Sequence, residues 1–236
     1  MSALPPSTEA KKSLSFTPPL EPVVMAFIGK PRSGKSTLIK SLMHYYAQAK
    51  YFKFDLVITG SKWNGDFDFI KNDKAVWDSW DEERFKEYID VLTKRAEELK
   101  KTNKKLPPSF VIMDDLLGTL ASSDFFKSFL ARFRQWNITL MIATQYAGEA
   151  KGCSTLLRSV CDLAFMFPSM MANQVETMHR AWGGWYKKED DFKALLVKVK
   201  QVDFACLLFL KKEKEIENAY MMFKCDPAPK NFSLMF

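Results

Sequence analysis

From position 29 the chain reads Gly29-Lys30-Pro31-Arg32-Ser33-Gly34-Lys35-Ser36-Thr37. This fits G-x-x-x-x-G-K-[ST], the pattern of a loop that wraps phosphate groups. The flanks supply the context the pattern needs. Val23 to Ile28 is an apolar run of strand length, and Leu38, Ile39, Leu42, Tyr45 and Tyr46 recur at helical spacing after the loop. The glycines therefore fall at a strand-to-helix turn. Gly29 and Gly34 allow the backbone to curl so that successive N–H groups converge on one anion. The helix N-terminus adds its partial positive charge. Lys35 is the residue to reach the β- and γ-phosphates of ATP, and Ser36 offers its hydroxyl to Mg2+.

A second element carries the matching chemistry. Ser109-Phe110-Val111-Ile112-Met113-Asp114-Asp115 is an apolar run closing on two carboxylates. A run this continuous predicts a strand covered on both faces, as in a parallel sheet. Asp114 at its end is placed to hold the Mg2+ shell. Asp115 is the candidate to polarise an attacking water. Read without the phosphate loop, the pair would merely open a turn before Leu116-Leu117-Gly118. A third strand, Ile138 to Gln145, ends in Thr144-Gln145. A neutral amide such as that of Gln145 donates to phosphate and accepts from water at once. Arg134 precedes this strand. Arg158 precedes the next, Asp162 to Phe167, where a neighbouring subunit's nucleotide could be reached.

The chain has 236 residues, enough for one large α/β domain, and 47% hydrophobic residues, ordinary for a globular protein. No window has the apolar length needed to span a bilayer, and the N-terminus lacks the basic-then-apolar order of a signal peptide. Cys153, Cys161, Cys206 and Cys225 form no C-x-x-C pair, and Cys161 and Cys206 lie in apolar runs. Buried thiols in a reducing, intracellular compartment are expected. The two histidines, His44 and His179, stand alone, which argues against a zinc site. A net charge of +7 is compatible with a polyanionic partner but does not require one.

Residues 1–22 are rich in Pro, Ser and Thr and read as a flexible tail, residues 23–224 as one nucleotide-binding domain, and residues 225–236 as a Pro-containing C-terminal tail. Lys53 to Gly60 reads as a strand, and the loop Ser61 to Asp66 leaves its C-terminal end, the edge where open α/β sheets place ligands. Trp63 in that loop is either packed or a contact residue. Glu82 to Lys101 is an amphipathic helix with Phe85, Ile89, Leu92, Ala96 and Leu99 on one face. Its lysine-rich end reads as a solvated terminus that complements the dipole. Phe125 to Trp136, Met170 to Arg180 and Asp190 to Val199 are predicted helices. Trp182-Gly183-Gly184-Trp185-Tyr186-Lys187-Lys188 is a packed turn or a nucleic-acid contact. Phe204 to Leu210 and Ala219 to Phe223 read as terminal strands.

Taken in order, the phosphate loop, the Asp-Asp strand, the Thr-Gln strand and an arginine before the next strand resemble the FtsK/HerA-type ATPases, most closely the short genome-packaging ATPases of double-stranded DNA viruses. Arg134-Gln135-Trp136 before the Gln strand and Leu157-Arg158-Ser159 after it fit the same pattern. The resemblance runs from about Val23 to Phe223. Two departures stand out: Asp115 where many members have Glu, and Trp136 where viral members often have Tyr or His. The resemblance implies a RecA-like (ASCE) P-loop NTPase fold, a mostly parallel central sheet flanked by helices, with one strand separating the phosphate-loop strand from the Asp-Asp strand. It implies a ring, a hexamer or a pentamer, around double-stranded DNA. ATP and Mg2+ would bind between subunits, and Arg134 or Arg158 would act on the neighbour's nucleotide. It implies packaging of a viral genome into a preformed capsid, with a capsid-vertex or membrane component as a further partner, in the host cytoplasm, a viral factory or the virion. Two other readings of the same loop are a P-loop kinase of a nucleotide or small molecule and a non-hydrolysing, ATP-ordered assembly module.

Overall fold

The computed structural model describes residues 16–116, 120, 122–148, 154–168 and 171–235. Residues 1–15 of the N-terminal segment, Cys153 and the Leu117-Gly118 turn lie outside them. Eight strands form one sheet: β1 (Val24–Ile28), β2 (Phe54–Thr59), β3 (Val76–Trp77), β4 (Ser109–Asp114), β5 (Ile138–Thr144), β6 (Leu163–Met166), β7 (Cys206–Leu210) and β8 (Tyr220–Phe223). Their order across the sheet is β3-β2-β4-β5-β1-β6-β7-β8. The pairs from β3 through β6 are parallel, and β7 and β8 add an antiparallel edge. As expected, β5 lies between the phosphate-loop strand β1 and the Asp-Asp strand β4.

The apolar runs are continuous because each strand is covered twice. Val24, Ala26 and Ile28 of β1 face one core and Met25 and Phe27 face the other, the period of two that a pleated strand imposes. The helices are α1 (Lys35–Gln48), α2 (Glu82–Lys101), α3 (Asp124–Arg132), α4 (Thr155–Val160), α5 (Ala172–Trp182), α6 (Glu189–Lys200) and the short α7 (Ile216–Ala219). Helix α1 covers the Met25 face with Leu38, Ile39, Leu42 and Tyr46. Helices α2, α3, α5 and α6 cover the opposite face through Phe85, Phe129, Val175 and Phe192, among others.

Local signals set the boundaries. Asp81 accepts from the Arg84 N–H at 3.0 Å and caps α2, whose first turn holds Glu82 and Glu83 and whose last holds Lys100 and Lys101. Ser123 caps α3 in the same way through the Phe126 N–H. The helix expected over Phe125 to Trp136 ends earlier, at Arg132, and tightens into a 3-10 turn over Phe133–Trp136. Asn137 at φ 53° stops it, a left-handed conformation that Asn tolerates better than most residues.

Trp63 is 89% exposed. Trp182 is buried and donates to the Ala147 carbonyl, and Tyr186 packs on Phe192 and Tyr220, while Trp185, Lys187 and Lys188 of the same segment are exposed. The strand expected from Phe204 begins at Cys206, because Phe204 itself has φ 61°. Cys161 and Cys206 are buried free thiols, as their apolar surroundings predict.

The segment after β8 crosses α1. The Ala228 N–H donates to Ser41 Oγ, Phe232 stacks on Phe69, and Leu234 is buried and bridges Ile70. Residue Phe16 packs edge-on against Phe165 and Phe223.

Candidate nucleotide site

Because β1, β4, β5 and β6 run parallel, their C-terminal ends share one edge, and the functional candidates gather there. The phosphate loop leaves β1. The Gly29 N–H donates to the Thr144 carbonyl at the end of β5 at 3.0 Å, and the Phe167 N–H after β6 donates to the Ile28 carbonyl at 2.8 Å. These bonds seat the loop between two strand ends.

Both loop glycines are required, for different reasons. A Cβ on Gly29 would lie 2.7 Å from Phe167 Cβ and 2.7 Å from Ser33 Oγ. Gly34 has φ 105°, a conformation that side chains rarely adopt. Arg32, at φ 61°, completes the curl. Ser33 Oγ is buried and has no hydrogen-bond partner among the described residues. An orphaned hydroxyl inside a ring of backbone amides is what a phosphate oxygen would satisfy.

Lys35 starts α1 and folds back over the loop. Its Nζ donates to the carbonyls of Gly29 at 2.7 Å and Lys30 at 3.0 Å. Burial lowers its pKa, against the pull of Asp114, Asp115 and Asp66, which favour the charged form.

Asp114 ends β4, opposite Thr59 of β2 in register, and is 8% exposed. Its Oδ2 accepts from Thr59 Oγ at 3.1 Å and Ser61 Oγ at 3.4 Å. Burial raises its pKa, opposed by the Thr59 bond and by Lys35. Asp115 is exposed and adopts φ 56°. Its N–H extends the β4–β5 ladder one step by donating to the Ala143 carbonyl, and the left-handed turn then brings its carboxylate to Gln145. Gln145 Nε2 donates to Asp115 Oδ2 at 2.5 Å.

Two clefts flank the loop. The larger, about 620 Å³, is lined by Gly29, Lys30, Gln145, Arg158 and Arg180 among others. The smaller, about 470 Å³, is lined by Arg32, Gly34 to Leu38 and Asp66. Lys35, Ser36 and the start of α1 line the smaller one, the chemistry that suits a phosphate group.

The structure thus gathers Lys35, Ser36, Asp114, Asp115 and Gln145 at one edge, with Arg158 lining the adjoining cleft. Arg158 Nη2 donates to Thr155 Oγ at 3.1 Å. Arg134 is elsewhere. It lies beside the N-terminal ends of β1 and β6, where its Nη2 bridges both Asp162 oxygens at 3.0 and 2.8 Å. Asp162 also accepts from the Val24 N–H at 2.9 Å. Sequence reasoning missed Thr59, Ser61 and Phe167. Their only signal is position at a strand end, which becomes meaningful once the strand order is known.

No family model matches the chain, and no curated protein matches it in sequence. Solved structures do match. The genome packaging NTPase B204 from Sulfolobus turreted icosahedral virus 2, in complex with AMPPCP, is 15% identical, with a TM-score of 0.57 over 88% of this chain and 98% of that one. The DNA-packaging ATPase B204 from Sulfolobus turreted icosahedral virus is 17% identical, with a TM-score of 0.55 over 89% and 99%. The conjugation coupling protein TcpA of pCW3, in its monomer form with ATPgS, is 14% identical, with a TM-score of 0.60 over 87% and 60%. At these identities the likeness is one of fold. It is the fold that the resemblance in sequence implies.

Proposed function

We propose that this chain is an ATPase that binds ATP and Mg2+ on its phosphate loop and couples hydrolysis, in a ring of like subunits, to translocation of double-stranded DNA into a viral capsid. The observation that carries the reading is the edge of β1, β4 and β5. A phosphate loop, a buried carboxylate and a hydrogen-bonded Asp115–Gln145 pair stand side by side there.

The residues fit the expected groups. Ser36 and Asp114 would hold Mg2+: both are hard oxygen donors, and Mg2+ bound to nucleotide needs few protein ligands. When bound, Mg2+ neutralises charge on the transferred phosphoryl group. Lys35 exchanges its loop carbonyls for phosphate oxygens, a stronger, charge-assisted contact. Asp115 accepts from the attacking water, and Gln145 fixes Asp115 and orients that water. The remaining charge calls for a cation from a neighbour. Arg158 and Arg134 are the candidates, and such fingers are worth about 10³–10⁵ in rate. Duplex DNA in the channel, a capsid-vertex or membrane component, and an intracellular setting belong to the same proposal.

Steady-state phosphate release against protein concentration, with and without linear duplex DNA, tests it for wild type, Arg134→Ala and Arg158→Ala. The expected rate per subunit rises with both, and one variant loses it while still binding ATP. A flat rate kept by both variants overturns the ring. Phosphate transfer to a nucleoside monophosphate would point to a kinase instead. ATP binding without phosphate release would point to an assembly module.

A further inference from the structure

The cleft that opens from the phosphate loop has a far wall that phosphate chemistry leaves unused. Beyond Lys35 to Leu38 it is lined by Phe204, Cys206, Phe223, Lys224, Cys225 and Pro227. Phe204 is the anomaly among them. It is 82% exposed, although it sits two residues before a buried strand. Its φ of 61° is left-handed, an uncommon and costly conformation for an aromatic residue. The conformation places an exposed ring on the wall of a cleft that begins at a phosphate loop. Phe223, half-buried and edge-on to Phe16, lies on the same wall.

We infer that Phe204 is the stacking platform for the base of the bound nucleotide, so that one chain holds the whole nucleoside triphosphate: phosphates on Gly34 to Thr37, base on Phe204. This rests on the phosphate-loop reading above. The cleft's 470 Å³ is within the range of small-molecule sites. The wall carries the Phe204 and Phe223 rings with Lys224 beside them, and the exposed Phe204 ring supplies the stacking area. The substrate class is therefore a purine nucleoside triphosphate, held more tightly than its pyrimidine counterparts. The strained backbone and the exposed ring then have one explanation, since a residue relaxed into β7 would take the ring away from the cleft.

The test measures dissociation constants for ATP and for inorganic tripolyphosphate, each with Mg2+, on the full chain. Stacking of a base on an aromatic side chain is worth about 1–3 kcal/mol, so Phe204→Ala is expected to weaken ATP about tenfold and to leave tripolyphosphate unchanged. Phe204→Trp is expected to keep ATP. Phe204→Gly relieves the positive φ, so it should raise the melting temperature while weakening ATP as the alanine variant does. That opposition of sign separates a binding role from a structural one. Lys35→Ala should weaken both ligands. If Phe204→Ala binds ATP as wild type does while Lys35→Ala binds neither ligand, the platform is wrong and the phosphate loop stands. If wild type binds neither ligand, the phosphate-loop reading itself fails.

Discussion

Gly29 has no room for a side chain, and the obstacle is not the usual flexible tip. The nearest atoms are Phe167 Cβ and Ser33 Oγ, each 2.7 Å from the position a Cβ would take, and the first cannot swing away. Gly29→Ala is therefore expected to destabilise the fold by about 1–3 kcal/mol, measurable by urea unfolding, through overpacking. Combining it with Phe167→Ala should not restore stability, because alanine keeps the offending Cβ. Asp114 gives a prediction with a sign to work out. Burial raises its folded pKa above the unfolded value, so the folded state holds its proton to higher pH. The resulting cost is absent below the unfolded pKa and fully present above the folded one, so stability falls as pH rises through that interval. Asp114→Asn should remove this dependence. Without added nucleotide or Mg2+ it should melt higher than wild type at neutral pH, while losing Mg2+-dependent hydrolysis. A lower melting temperature for the variant at pH 7 would contradict the assignment of burial as the dominant cause.

At the scale of elements, two strand-end pairs have opposite consequences. The Asp115–Gln145 bond joins the ends of β4 and β5 at the reacting edge and is partly open to solvent. Gln145→Ala or Asp115→Ala should lower kcat by about 10²–10⁴ with little change in ATP affinity or in melting temperature, since general-base catalysis is worth that much. The Arg134–Asp162 pair joins the turn before β5 to the starts of β1 and β6 at the opposite edge. Asp162 is mostly buried and Arg134 is half-exposed, so the loss on Arg134→Ala should fall below the full cost of breaking a buried pair, at about 1–2 kcal/mol. Arg158 donates to Thr155 Oγ1 within its own helix, so Arg158→Ala also removes a contact. A loss of ATPase in Arg134→Ala must therefore be compared at equal folded fraction. The same comparison at equal folded fraction applies to Arg158→Ala.

For the whole molecule, the division of labour among subunits is the quantity to measure. If one chain supplies both phosphate loop and base platform, ATP affinity should be independent of protein concentration, whereas phosphate release per subunit should climb with it. Equilibrium titration at two concentrations a hundredfold apart, beside steady-state release at the same two, checks this. An ATP affinity that tightens with concentration would move part of the binding site onto the neighbour.

The phosphate loop, the Asp-Asp strand and the Gln strand were readable from residue order because their physics is local. A strand buried on both faces must be apolar throughout, a sharp turn needs glycine, and charge appears where the strand leaves the core. The separation of β1 from β4 by β5 came from a resemblance, not from spacing, and the sheet bears it out. Other features depended on pairing across distant parts of the chain. Thr59 became a partner of Asp114 because β2 and β4 pair in parallel register. Arg134 proved to hold a carboxylate at the far edge, 28 positions along the chain. Phe204, which reads in sequence as the first residue of an apolar strand, was turned outward by a left-handed backbone. Hydrophobic periodicity reports how much of a residue is buried in a regular element. It carries no information about which strand ends meet, or about one residue whose backbone departs from the regular path, and those contacts are fixed only when the sheet closes.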